Sequence, residues 1–161
     1  MTIEETPGGG DVSAGAERVG VESADDVRAR RERLRAELVA LEQVLTAPIA
    51  DADAWLAQVR TAAESMLETL RSHVEATEAA EGMLAQIARD APHLEGRAEG
   101  LRDEHAALLD AARALVGTCD VAPPAEVRDE ALALLQSISR HRQRGTDLLY
   151  DAYLVDISAA D

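Results

Sequence analysis

The sequence predicts an all-α protein, an up-down-up-down four-helix bundle, and three observations predict it. Apolar residues recur at spacings of three and four along most of the chain, no window sustains the alternation of a strand, and β-branched residues are sparse. Pro48, Pro92, Gly117 and the pair Pro123-Pro124 divide that pattern into four segments. The connections are short, about four to seven residues, which makes sequential helices antiparallel neighbours.

Taken in order, residues 1–22 show no apolar period and contain Gly8-Gly9-Gly10, Gly15 and Gly20. Such a segment buries too little surface to offset its ordering entropy, and it is expected to be a flexible, acidic, glycine-rich tail. Ser23 offers an N-cap, and Asp25 and Asp26 favour the positive end of the helix that follows. That first helix is expected over about 24–46, carrying Val27, Leu34, Leu38, Leu41 and Leu45. A second begins near Asp51 or Asp53 and runs to about 88, through Trp55, Leu56, Val59, Met66, Leu67, Leu70, Val74 and Leu84. Gly82 is its weak point and Pro92 ends it. The third, about 93–117, carries Leu94, Ala98, Leu101, Leu108, Ala112 and Leu115. The fourth, about 124–154, carries Leu132, Leu135, Ile138, Leu148, Leu149 and Tyr153. One bundle domain over about 23–158 results.

Composition narrows the function classes. Among 161 residues, 16 are basic, all of them arginine, and 31 are acidic, for a net charge of −15. Nothing in that balance would neutralise phosphates, and with aromatics at 2% there is no stacking platform, so no nucleic-acid partner is expected. The charge falls mostly on outward positions and reads as a solvated surface; a basic protein partner is the minority reading. The single cysteine, Cys119, excludes an internal disulfide framework and a cysteine-based zinc cluster. No apolar run approaches the ~20 residues of a membrane span, and Met1-Thr2-Ile3-Glu4-Glu5 lacks the features of a secretory signal. No membrane association and a cytoplasmic location are therefore expected.

The chemistry concentrates in three of the four histidines. His73 lies beside the apolar stripe of the second helix, with Thr77 one turn on; His105 fills an otherwise missing inward position on the third. His141 and Gly145 do the same on the fourth. His73 stands about 15 residues before the expected end of its helix and His105 about 12 after the next begins, a mismatch of a few ångströms at ~1.5 Å per residue. His141, about 16 residues into its helix, falls in the same layer. Neutral imidazole is the commonest metal ligand, and bundle cores are where helical proteins assemble such sites. A lone inward histidine is more often a satisfied core residue, but three in one layer need each other or an ion. Carboxylates on the stripes are scarce: Glu78 and Glu81 lie off it or a turn away, and Glu37 and Glu104 are the other candidates. His93, beside Pro92, reads as a surface or capping residue.

Other chemistry is thin. Ser65, Ser72, Ser137 and Ser139 show no serine–histidine–acid spacing, Cys119 has no activating neighbour, and Gly8-Gly9-Gly10 follows no strand. Tyr150 and Tyr153 are expected to pack the last helix.

The stretches His73-Val74-Glu75-Ala76-Thr77-Glu78, Leu101-Arg102-Asp103-Glu104-His105 and His141, in that order on successive helices, resemble a hemerythrin-like (HHE cation-binding) domain. Gly145-Thr146-Asp147-Leu148-Leu149-Tyr150-Asp151-Ala152-Tyr153, running to Asp156-Ile157, is similar to a common end of bacterial members. The resemblance covers about residues 24–158 and implies a four-helix bundle that holds two irons through histidines and bridging carboxylates. On that resemblance His73, His105 and His141 match ligand histidines. The first helix has no histidine, Thr77 stands where the family has a bridging glutamate, and Leu101 replaces a histidine some members carry. Gly145 or Thr146 replaces the carboxylate that follows His141. Without bridging carboxylates two neighbouring cations repel too strongly in a low-dielectric core, and no di-iron centre is expected. Three neutral imidazoles can hold one divalent ion, zinc or ferrous iron, with an open position for water. The expected role is binding or sensing rather than enzymatic turnover. Two alternatives stay open: a metal-free interaction module with a protein partner, and an intact di-iron protein if Glu37, Glu78 or Glu81 turns inward.

Overall fold

Helix α1 (Ala24–Thr46) lays Arg30, Leu34, Leu38, Leu41 and Leu45 along one face, the spacing of a stripe turned to a core. It opens the computed structural model, which describes residues 24–153. The expected tail over 1–22, the Ser23 cap and the chain beyond 153 lie outside the described residues. Asp51 caps helix α2 (Ala52–Glu78), its Oδ1 accepting the Ala54 N–H at 2.9 Å. In the next turn the buried Trp55 donates its indole N–H to the Val44 carbonyl at 3.0 Å, which fixes the start of α2 beside the end of α1. Helix α3 (Met83–Asp90) is short, and a single 3₁₀ turn (Pro92–Leu94) leads into helix α4 (Glu95–Thr118). Helix α5 (Pro124–Tyr153) opens with proline at its first position, where the missing N–H costs nothing.

Polar pairs record the register. Arg60 of α2 meets Asp120 beyond the end of α4, while Glu78 of α2 meets His105 further up α4. Arg97 of α4 meets Asp151 of α5, while Glu104 meets His141. In each case numbers rise on one helix as they fall on the other, so the neighbours are antiparallel. Helix α5 packs back against α1 and closes the ring. The protein is an all-α four-helix bundle, with no strand among the described residues.

Two details differ from the sequence reading. Helix α2 does not run to 88: it stops at Glu78, the chain turns through Ala79–Gly82, and α3 starts afresh. Gly82 lies so close to the end of α2 that a Cβ there would sit 2.6 Å from the carbonyl oxygens of Ala76 and Thr77. This is a position for glycine on grounds of space. On α5 the buried stripe is Val127, Ala131, Leu134, Ile138, His141, Leu148 and Ala152, spaced by fours and threes with one step of seven across Gly145. Leu132, Tyr150 and Tyr153, expected to pack inward, are exposed, because that heptad register turns each of them off the buried face.

The apolar core falls into two clusters. The larger runs from Leu34 to Ile138 through Trp55, Met66 and Leu115; the smaller joins Leu84, Ile87, Leu94, Leu101 and Leu148 at the end that α3 covers. Among the described residues the buried polar side chains are Arg30, Thr77, His105 and His141, and they lie where the two clusters part.

Candidate functional site

Each long helix brings one member of its inward stripe to that level: Arg30 from α1, Thr77 from α2, His105 from α4 and His141 from α5. His73, half-buried, joins them from α2. The ring centroids stand 5.3 Å apart for His73 and His105, 5.6 Å for His73 and His141, and 4.7 Å for His105 and His141. The structure therefore brings together the three imidazoles singled out by the sequence pattern. They meet although His73 lies five residues before the end of α2 and His105 ten past the start of α4. The α3 segment and the 3₁₀ turn take up the difference.

The nitrogens face one another. His105 Nε2 lies 3.1 Å from His141 Nε2, and His141 Nε2 lies 3.4 Å from His73 Nε2. One ligand atom from each residue falls within 4.8 Å of the others. On the far side of two rings stands a carboxylate. His105 donates Nδ1–H to Glu78 Oε1 at 2.6 Å, and His141 donates Nδ1–H to Glu104 Oε2 at 2.9 Å. Each carboxylate comes from the helix next to the ring it holds. Glu104 also accepts from the Arg144 guanidinium. Burial opposes the charge on Glu104, but the hydrogen bonds from His141 and Arg144 prevail and hold its carboxyl below the usual range.

That geometry fixes which nitrogen serves each carboxylate. An ionised carboxylate only accepts, so Nδ1 of His105 and of His141 donates to it and Nε2 is the atom turned toward the other rings. Burial, reinforced by the other two rings and by Arg30, pulls the His73 imidazole down to about 3. Burial likewise lowers His141, against the opposing pull of Glu104. Two lone pairs 3.1 Å apart repel unless a cation lies between them. A single proton on one Nε2 would satisfy one contact. A metal ion at the centre would satisfy all three.

Thr77 and Gly145, the positions one turn after two of the histidines, carry no ligand chemistry. Thr77 is buried, and its hydroxyl donates back along its own helix to the His73 carbonyl at 2.8 Å. Gly145 faces open space, with nothing within 4 Å of a built Cβ. Of the other carboxylates considered, Glu81 pairs with Arg89, and Glu37 lines a shallow depression between α1 and α2 with Val44 and Thr61. His93 is exposed in the 3₁₀ turn. Cys119 is buried in the larger cluster, and burial raises its thiol, which makes it less reactive.

A cavity of about 740 Å³ opens from the rings toward the α1 side of the bundle. His73, His105, His141, Thr77 and Arg30 line its polar part. Two features of the site go beyond the residues that the sequence pattern singles out. Arg30 lies one turn before Leu34 on the same stripe, and extending that stripe backward would have found it. The pairing of Glu78 and Glu104 with rings on neighbouring helices leaves no trace in spacing, because it depends on how the helices are rotated. Among the described residues, no helix is long and apolar enough to cross a membrane. Compared with known protein families, curated proteins and solved structures, the chain matches none.

Proposed function

We propose that this protein is a hemerythrin-like bundle that has lost the two-iron site and binds one divalent transition ion, zinc or ferrous iron, on Nε2 of His73, His105 and His141. One observation carries the reading: three Nε2 atoms converge while carboxylates hold Nδ1 of two of the rings. Nitrogens bound at ~2.0–2.1 Å to a tetrahedral ion lie roughly 3.3 Å apart; two of the three spacings, 3.1 Å and 3.4 Å, bracket that value, and the third pair lies within 4.8 Å. Carboxylates on the outer nitrogens are the arrangement that fixes tautomer and ring angle in histidine metal sites. A metal held there would supply a Lewis-acidic open position facing the cavity.

One ion, not two, follows from the donors. Thr77 and Gly145 offer no bridging carboxylate, and although Glu32 of α1 and Glu81 line the cavity, among the described residues only the three histidines come together as a set of ligands. Glu78 and Glu104 are engaged on the outer ring nitrogens, so neither is placed to move a proton at a bound molecule. This supports a binding or sensing role over turnover.

Arg30 favours a second reading, the metal-free interaction module. Its charge in the same cavity opposes any cation, and a proton shared between His105 and His141 would then bridge the closest nitrogens. Elemental analysis separates the two. Protein purified without a metal-affinity tag, reconstituted with zinc or anaerobically with ferrous iron and then desalted, is expected to retain about one ion per chain. Joint replacement of His73, His105 and His141 by leucine is expected to abolish that retention. No retained ion in the wild type establishes the metal-free reading, and two irons per chain overturn both.

A further inference from the structure

The seam between α1 and α5 carries charge that the histidine layer does not use. Arg31 of α1 and Arg142 of α5 line it at the level of the histidines. Beyond them an open groove of about 1010 Å³ is lined by Arg128 and Arg140 of α5, opposite Leu38, Glu42 and Leu45 of α1. Arg35 lies on the same side of α1, four residues after Arg31 and seven before Glu42. Among the described residues none of these five arginines pairs with a carboxylate, whereas Arg28, Arg60, Arg97 and Arg144 do. Arg128 lies 5.2 Å over the Trp55 ring and Arg140 donates to Ser137 Oγ at 3.1 Å, contacts that position both and neutralise neither. The carboxylates lining the two hollows are Glu32, Glu42 and Glu81, and Arg89 holds the last of these. On a chain of net charge −15 the seam is therefore a strip of reversed sign. Between its charges it is apolar and open: Leu132 is 43% and Ile49 38% exposed, with Leu135 half-buried beside them.

We infer that the α1–α5 seam docks an acidic amphipathic helix of a partner protein, its apolar face on Ile49, Leu132 and Leu135 and its carboxylates on the arginines of the rim. Arg128 and Arg142 stand roughly 21 Å apart along α5 at ~1.5 Å per residue, the length of about four helical turns. A groove between helices takes such a ligand by apolar anchors at spacings of three and four, and the flanking charges choose the partner. Duplex nucleic acid would meet the arginines but leave Leu132 and Ile49 uncovered, so the seam selects a ligand with an apolar face. A second copy docked by a two-fold axis would set the strip against itself, arginine on arginine. The inference does not depend on whether the histidines hold an ion.

The test is calorimetric titration of the full chain with a designed helical peptide of about 16 residues, leucine along one face and glutamate with alanine elsewhere. Two controls accompany it, one with lysine for every glutamate and one of the same composition with its leucines scattered around the helix. The net charge of −15 by itself favours the lysine peptide. The opposite order is expected, the glutamate peptide binding one to one and about tenfold or more tighter than either control. Leu132→Ser, and Arg140→Gln with Arg142→Gln, are each expected to weaken it about tenfold. Val121→Ser, exposed in the turn before α5 and lining neither hollow, is expected to leave it unchanged. All three sites are exposed, and unchanged circular dichroism excludes a folding defect. The inference is overturned if a control peptide binds as tightly or if Leu132→Ser binds as the wild type does. The absence of binding overturns it too, whether the seam is bare or already covered by residues 1–23. A short DNA duplex that binds more tightly than the peptide assigns the strip to nucleic acid, and a dimer that Leu132→Ser dissociates assigns it to a second copy; either result overturns the inference.

Discussion

At the scale of single residues, what orients each imidazole is the group on its outer nitrogen. Glu104 stands between His141 and Arg144, and Glu78 holds His105 at 2.6 Å. Glu104→Gln or Glu78→Gln keeps an acceptor but removes the charge that makes the ring a stronger donor to a metal. Each is expected to lower zinc affinity about 10–100-fold in a chelator competition, while Glu81→Gln, whose partner is Arg89, leaves it unchanged. An equal drop in all three would show only a general loss of negative charge. The rings also set a pH dependence in the metal-free protein. His73 titrates near 6.5 when unfolded and near 3 when folded, so below pH 6.5 the unfolded chain takes up a proton that the native state refuses. Stability is therefore present above about 6.5 and lost progressively as the pH falls toward 3. His141, shifted in the same direction, adds to the slope. Between pH 6.5 and 5 the His73 contribution is about 2 kcal/mol. Urea midpoints of chelator-treated wild type and His73→Leu at pH 7 and pH 5 measure it: the wild type should lose the larger share, and parallel losses would refute the assignment.

At the scale of elements, the break between α2 and α3 is held by a close contact of backbone on backbone. A methyl group at position 82 would meet two carbonyl oxygens at 2.6 Å, and these belong to the last turns of α2, which cannot swing aside as a side chain can. Gly82→Ala is expected to cost roughly 1–3 kcal/mol, read from urea unfolding. At Gly145 the same change meets nothing, so Gly145→Ala is expected to stabilise α5 by about 0.5–1 kcal/mol. The two alanines together separate crowding from helix propensity, and a loss at both positions would contradict the packing described. The break also marks how far the sequence was legible. Four helices, their breakers and the inward placement of His105 and His141 follow from period and punctuation alone. The turn at Ala79–Gly82 does not, because Leu84 and Ile87 continue the three-and-four spacing of α2. Periodicity cannot distinguish a helix that runs on from one that folds back over the end of the bundle. Arg89, bonded to the Ala80 carbonyl at 3.2 Å and paired with Glu81, ties the fold-back in place from eight and nine residues away. Which carboxylate meets which ring was hidden for a related reason: it is a property of helix rotation, not of any one helix.

At the scale of the whole molecule, a polar layer interrupts what would otherwise be one continuous core, with the leucines of α1, α2, α4 and α5 on one side and the smaller cluster under α3 on the other. Such a layer is destabilising in the metal-free state. Buried imidazoles lose hydration, their facing lone pairs repel, and dispersion contacts between the two clusters are forgone. With an ion bound, the same layer becomes the strongest link between helices, because three nitrogens from three elements then share one centre. The stability it contributes grows with ligand concentration as RT ln(1 + [M]/Kd), or about 4 kcal/mol at a thousandfold excess over Kd. The two states therefore make opposite predictions for one variant. Joint replacement of His73, His105 and His141 by leucine keeps the side-chain volume similar, joins the clusters and frees Glu78 and Glu104 into the solvent they already partly face. In chelator this variant is expected to be more stable than the wild type by about 1–4 kcal/mol, as when a buried polar cluster is exchanged for well-packed apolar side chains. In excess zinc the order should reverse, since only the wild type gains. Thermal melts of both proteins with and without zinc make the comparison. A wild type indifferent to zinc and less stable than the variant throughout would mean that the layer is a packing compromise. A variant less stable than the chelated wild type would mean that the rings hold the bundle together without any ion, through their bonds to Glu78 and Glu104.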